Sequence, residues 1–133
     1  MTQARTDLFE LRVPPAAESV SVVRLFAAAV GAIAGCDPDM IEDIRLAVAE
    51  SVTRAIVTQA AAGDDNPVFA HASLGPDGVA FEIESSAAGG ASGNDGDLSL
   101  AVIRGLFPEV EVREGDRVVV RFSVPRAGIA HSH

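Results

Sequence analysis

Ile41, Ile44, Val48, Val52 and Ile56 recur every three or four residues, while Glu42, Asp43, Arg45, Glu50 and Arg54 occupy other faces. That spacing predicts one amphipathic helix. Its start is marked by Asp37, whose side chain can cap free amides, and by Pro38, which suits the first helical turn. The helix is expected to run to about Ala60. A helix of that length with a single apolar stripe has to lie on another layer of structure, so the rest of the chain must supply one.

The flanking segments do so. Phe9, Leu11 and Val13 alternate with Glu10 and Arg12 until Pro14 and Pro15, which predicts a first strand near residues 8–14. Residues 17–34 place Val22, Leu25, Phe26, Ala29, Val30 and Ile33 at helical spacing, and Gly35 supplies the stop. A helix with so few charges has to be covered on most sides, by the domain or by a partner. Arg24 interrupts it and is read as a candidate partner contact.

Residues 63–67 form a loop, followed by strands near 68–74 and 79–84 around the turn residues GPDG. Residues 85–96, SSAAGGASGNDG, are Gly-rich and without periodicity, and are expected to be a mobile loop. A last helix is expected from about Asp97, burying Leu98, Ala101, Val102, Leu106 and Phe107 and stopping at Pro108. Val110 and Val112, then Val118, Val120, Phe122 and Val124, give a closing hairpin around REGD.

The order predicts an α+β two-layer sandwich, with three helices on one face of a mixed sheet of about five strands. At 133 residues this is one domain, with its core at about 8–125. The tail 126–133 is expected to be flexible, and its terminal HSH to be an incidental end rather than a metal site.

Charge narrows the function classes. There are 19 acidic and 10 basic residues, a formal net charge of -9, and every basic residue is Arg. Without lysine there is no Schiff-base chemistry, no lysine nucleophile and no phosphate loop of the type that needs one. Direct nucleic-acid binding through phosphates is not expected, and an acidic surface suits a basic protein partner. Cys36, the single cysteine, cannot form an internal disulfide and is read as a small buried hydrophobe. With no leader-like segment and no run of about 18 apolar residues, a soluble cytoplasmic protein is expected. His71, on a strand with no second His or Cys nearby in sequence, is read as a surface or satisfied residue rather than a base.

The segments VPPAAESVSVVRLF, IEDIRLAVAESVTRAI and LAVIRGLF, in this element order, resemble the anti-sigma-factor serine kinases of the histidine-kinase-like ATPase superfamily. The resemblance covers about residues 8–125 and is most specific over Asp43–Ile56. There the family carries E-x-x-x-N, with a Glu that polarises the attacking group and an Asn that binds magnesium. Glu50 matches the Glu, and Arg54 stands in place of the Asn. Positions i and i+4 share a helix face, so both side chains are directed toward one pocket. A guanidinium has no acceptor oxygen and repels a cation, so Arg54 is expected to fill the place of the metal and to neutralise Glu50.

Two further family motifs differ. Where the family has D-x-G-x-G, whose Asp holds the adenine amino group, this chain reads SSAAGG, which puts Ser85 or Ser86 at the Asp position and leaves Gly89 or Gly90 for the turn. The phosphate-binding G-x-G-L reads DLSL, with Asp97 and Ser99 in place of the glycines, and a carboxylate at a helix start repels phosphate. The resemblance therefore implies a dimeric anti-sigma-factor-like regulator with a degraded nucleotide pocket. Such a chain would sequester an RNA-polymerase sigma factor, be countered by an anti-sigma-factor antagonist, and have no cofactor. The alternative is an active serine kinase that uses ATP and Mg to phosphorylate the antagonist, with Glu50 as base. A third reading is a relative in fold alone that regulates another signalling protein.

Overall fold

The computed structural model describes residues 5–86 and 94–125, and the side chains of these residues apart from 94–97. Eight elements follow in the order β1 (Asp7–Val13), α1 (Ser19–Ile33), α2 (Pro38–Ala61), β2 (Val68–Gly75), β3 (Gly78–Ser86), α3 (Asn94–Leu106), β4 (Glu111–Glu114) and β5 (Arg117–Pro125). The three helices lie on one face of a single five-stranded sheet ordered β1-β2-β3-β5-β4. This is the expected two-layer α+β sandwich, with one correction: all four strand pairings are antiparallel, where a mixed sheet was expected. The helix α3 carries the chain from β3 to β4 in the same direction, but β5 inserts between them, so no hydrogen-bonded neighbours run parallel.

Local chemistry sets the boundaries. The Asp37 carboxylate accepts from the Met40 backbone N–H at 2.8 Å and Pro38 opens α2, as the sequence predicts. Gly35, with φ 85°, ends α1 in the left-handed region that other residues avoid. The last helix departs from expectation by starting at Asn94 rather than Asp97. Ser85 and Ser86, read as loop, are the last two residues of β3. The remainder of that expected loop, residues 87–93, lies outside the described residues, as does the tail 126–133.

Val68, Ala70, Ala72, Val79, Phe81, Ile83, Val120, Phe122 and Val124 project from the sheet into the core. They meet Val23, Ala27 and Val30 of α1, Ile44, Val48 and Val52 of α2, and Leu100 and Ile103 of α3. Burying each large apolar side chain contributes about 1.5–3 kcal/mol, so this layer supplies most of the driving force. The rings of Phe81 and Phe107 both stack on Phe122, at 5.5 and 4.5 Å between centroids.

Two helical faces differ from the sequence reading. On α1 the buried residues are Ser19, Val23, Ala27, Val30 and Gly31, whereas Val22, Leu25 and Ile33 are exposed. Packing is close at one point: a Cβ on Gly31 would already meet Ile41 at 3.4 Å and Ile44 at 3.5 Å, which leaves no room there for a longer side chain. On α3, Leu98 is 68% exposed and Ala101 is exposed too, while Ser99, Leu100 and Ile103 turn inward. α1, almost uniformly apolar, carries no polar face to reveal which side is buried.

The sheet face away from the helices is polar, as expected of an antiparallel sheet covered on one side. His71 Nδ1 lies 3.1 Å from Glu10 and Nε2 lies 3.1 Å from Glu84. His71 is thus a satisfied residue, as read from sequence. Arg117 and Arg121 pair with Glu84 and Glu82 at 2.8 and 2.9 Å. Among the described residues no helix is long and apolar enough to cross a membrane, and no group of three or more His, Cys, Asp or Glu could hold a metal ion.

Cys36 is buried, and burial, followed by the neighbouring Asp37 carboxylate, raises its pKa above the ordinary thiol value. At neutral pH the thiol of the native protein is expected to react with a disulfide reagent more slowly than after unfolding in denaturant, which a timed labelling assay checks.

Candidate functional site

The middle of α2 carries the residues singled out by spacing. Packed between α1 and α3 and above β3, the helix turns Ile44, Ala47, Val48, Ser51, Val52, Arg54, Ala55 and Gln59 inward. The Ser51 hydroxyl donates back to the Ala47 carbonyl at 2.8 Å, so it is committed to the helix itself. Glu50 sits half-buried at the margin of this face.

Arg54, expected on a polar face, is instead buried: its side chain is 5% exposed. Nor does it pair with Glu50. Its Nη2 lies 3.8 Å from Oε1 of Glu114 at the end of β4, and its Nε is buried without a partner among the described residues. Glu114, 60 positions further along the chain at the end of β4, takes the place of the helical neighbour at i-4. The Arg54 side chain offers donors only, so position 54 presents no oxygen to a cation.

The end of β3 is clamped to α2. Gln59, fully buried, donates from Nε2 to the Asn66 carbonyl at 2.7 Å and accepts at Oε1 from the Ser86 backbone N–H at 3.1 Å. One amide thereby ties α2, the loop after it and the end of β3 together. Ser85 is buried on the helix-facing side of β3, in the alternation of Phe81 and Ile83. Ser86 faces the other way, and its hydroxyl donates to Asp64. Of the two residues that the resemblance places at the adenine-anchor position, Ser85 is the one directed to the helix layer.

Asp64 illustrates how that corner is wired. The Ser86 hydroxyl, then the Asn66 backbone N–H, hold its pKa below the ordinary aspartate value. A depressed carboxylate pKa stabilises the fold above the unfolded-state pKa, and that contribution is lost as pH falls through the folded-state value. The stability difference between the native chain and Ser86→Ala is therefore expected at pH 7 and should shrink as the pH falls through and below about 4. Denaturant midpoints across that range measure it.

The third motif is partly visible. Gly89 and Gly90 lie outside the described residues, as does the side chain of Asp97, whose backbone falls in the first turn of α3. Ser99 is buried and sits a turn further in, so the free amides of the helix start belong to residues 94–97 rather than to 97–100. On α1, Arg24 is half-buried with its Nε unpartnered among the described residues. The sequence reading missed Gln59 and Glu114. Gln59 was discoverable, since it continues the buried series Val48, Val52, Ala55; the approach of Glu114 depends on strand order and left no local signal.

The family model described as the histidine kinase-like ATPase domain matches residues 13–124. The chain belongs to this family. Among curated proteins, this histidine kinase-like ATPase domain is similar to the serine-protein kinase RsbW of Staphylococcus aureus strains JH9 and Newman. Each is 46% identical over 54 residues, a stretch covering 41% of this chain and 34% of the relative. The match thus spans about a third of those relatives' length. Among solved structures, the RsbU and RsbW domains of Rv1364c from Mycobacterium tuberculosis superpose with a TM-score of 0.71 at 18% identity, covering 88% of this chain and 32% of that one. At that identity the likeness establishes the histidine kinase-like ATPase fold.

Proposed function

We propose that this chain is an anti-sigma-factor-like transcription regulator that binds and sequesters an RNA-polymerase sigma factor without phosphoryl transfer. An anti-sigma-factor antagonist would compete for it, and it would act in the cytoplasm as a homodimer. The observation that carries the reading is the buried Arg54 on the α2 face where the resemblance places a magnesium-binding Asn. A permanent positive charge there opposes a metal ion, and phosphoryl transfer depends on metal neutralisation of the developing charge.

The outer surface of α1 supports a binding role. Leu25 is 71% exposed, with Val22 and Ile33 exposed on the same helix, and Arg24 beside them holds a guanidinium whose Nε has no partner among the described residues. Contiguous apolar residues beside a cation suit a protein interface. The net charge of -9 favours a basic partner.

Glu50 favours the second reading, an active serine kinase. It keeps the position of the family base and has no ion pair among the described residues. The kinase would need ATP and magnesium, and would transfer phosphate to an antagonist.

Affinity capture with the tagged chain from its native host tests the main reading. A sigma factor is expected to co-purify, and Leu25→Asp, on an exposed position, should lower its recovery by about tenfold or more. Recovery of a different signalling protein in its place would refute the assignment.

A further inference from the structure

We infer that the groove where α2 begins and where α3 and β5 end is a second docking surface, for an extended peptide that carries one bulky apolar side chain between basic residues. It goes beyond the sigma-factor reading and does not depend on it: no residue of α1 lines the groove, and neither do Glu50 and Arg54. The groove has a volume of about 330 Å³, with an apolar wall of Met40, Leu106, Phe107, Pro108, Val124 and Pro125. That is at the small end for a ligand site, and it admits one bulky side chain with its flanking backbone rather than a whole helix. The strand beside the groove is open. β4 pairs with β5 only as far as Glu111 and Arg121, so residues 122–125 keep β3 on one side and have no strand on the other. The chain enters β4 through a turn in which the Val110 N–H donates to the Phe107 carbonyl at 3.0 Å, and among the described residues no backbone hydrogen bond joins that turn to β5. An open strand edge offers main-chain hydrogen bonds to an extended peptide, and a pocket beside it selects the side chain.

Charge selects the flanking residues. Among the described residues that line the groove, Glu109 is the one that carries a charge, and it is exposed. The Asp37 carboxylate, also exposed, accepts from the Met40 N–H at 2.8 Å and so stands at the same wall. The carbonyl end of α3, at Leu106, adds its partial negative charge, while the positive partial charge at the start of α2 is answered by Asp37 and by Asp39 in the first turn. Arg104, in the last turn of α3, lies outside the lining. Lys or Arg beside the apolar anchor is favoured. A second copy of this chain, with a net charge of -9 and the same acidic rim, is repelled.

The test follows the Met40 methyl resonance of the full chain during titration with the acetylated and amidated peptide Arg-Thr-Leu-Thr-Arg at low salt. A saturable shift with a Kd of about 1 mM or tighter is expected, together with slower amide exchange within residues 122–125. Replacing the peptide's Leu by Ala, or its Arg by Glu, should weaken binding about tenfold, and Glu109→Arg, at an exposed position of the protein, about threefold or more. A Met40 methyl unmoved by about 10 mM peptide would overturn the inference, as would equal binding of the peptide that carries Glu. Two results without any peptide would also overturn it. A shift of the Met40 methyl in Ile129→Ser would assign the groove to the chain's own residues 126–133, and a shift that grows with protein concentration would assign it to a second copy.

Discussion

Gln59→Leu is expected to destabilise the protein by about 1–3 kcal/mol, although leucine matches glutamine in size and suits a helix. Gln59 is fully buried and uses both ends of its amide, donating to the Asn66 carbonyl and accepting from the Ser86 N–H. Removing it takes one partner from each of two part-buried hydrogen bonds, at about 0.5–1.5 kcal/mol each because water can reach the half-exposed backbone groups of Asn66 and Ser86. The added apolar contact of leucine recovers part of that loss. Chemical denaturation measures the difference. The anchored end of β3 should loosen most, seen as faster hydrogen exchange at the Ser86 amide than in the core of β3. A fall below about 0.5 kcal/mol would mean that the clamp contributes little.

Arg54→Met is expected to act in the opposite direction, stabilising the protein by about 1–4 kcal/mol. Methionine follows the path of the arginine stem with a flexible apolar chain. The guanidinium it replaces is desolvated, lacks hydrogen bonds among the described residues and is held only by a 3.8 Å contact to an exposed carboxylate. Its Coulomb attraction to Glu114, weakened by solvent around that carboxylate, does not offset the desolvation. A 133-residue chain should show this as a rise in Tm of about 4–15 °C. A destabilised variant would mean that Arg54 is held by its surroundings more strongly than its contacts suggest.

How much of this was legible depends on how far each feature reaches along the chain. The Asp37 cap, the Gly35 stop, the hairpin at 75–78 and the stripe Ile44, Val48, Val52 are local, and the structure places each where spacing and turn chemistry put it. The buried faces of α1 and α3 were not legible; on α1 nearly every position is apolar, so no polar face marks the side that packs on Ile41 and Ile44. The sheet read as mixed because pattern carries no order, and the insertion of β5 between β3 and β4 decides it.

The candidate site divides in the same way. Glu50 and Arg54 stand out from a four-residue spacing on α2, which is local. That Arg54 is buried, and leans toward Glu114 rather than Glu50, follows from the position of β4, which no neighbouring residue signals. The pairing expected from helical spacing, worth roughly 0.2–0.5 kcal/mol on an exposed face, yields to a tertiary arrangement that takes the guanidinium out of water.

The central claim is that a fixed cation at position 54 has taken the place of a bound one. Calorimetry of ATP binding to the native chain, in EDTA and then in excess magnesium, tests it most directly. Magnesium is predicted to leave the affinity unchanged or weaker, with no phosphate transferred to water or to an antagonist. Micromolar binding that appears only with magnesium would contradict the account and make Glu50 the base of a working kinase.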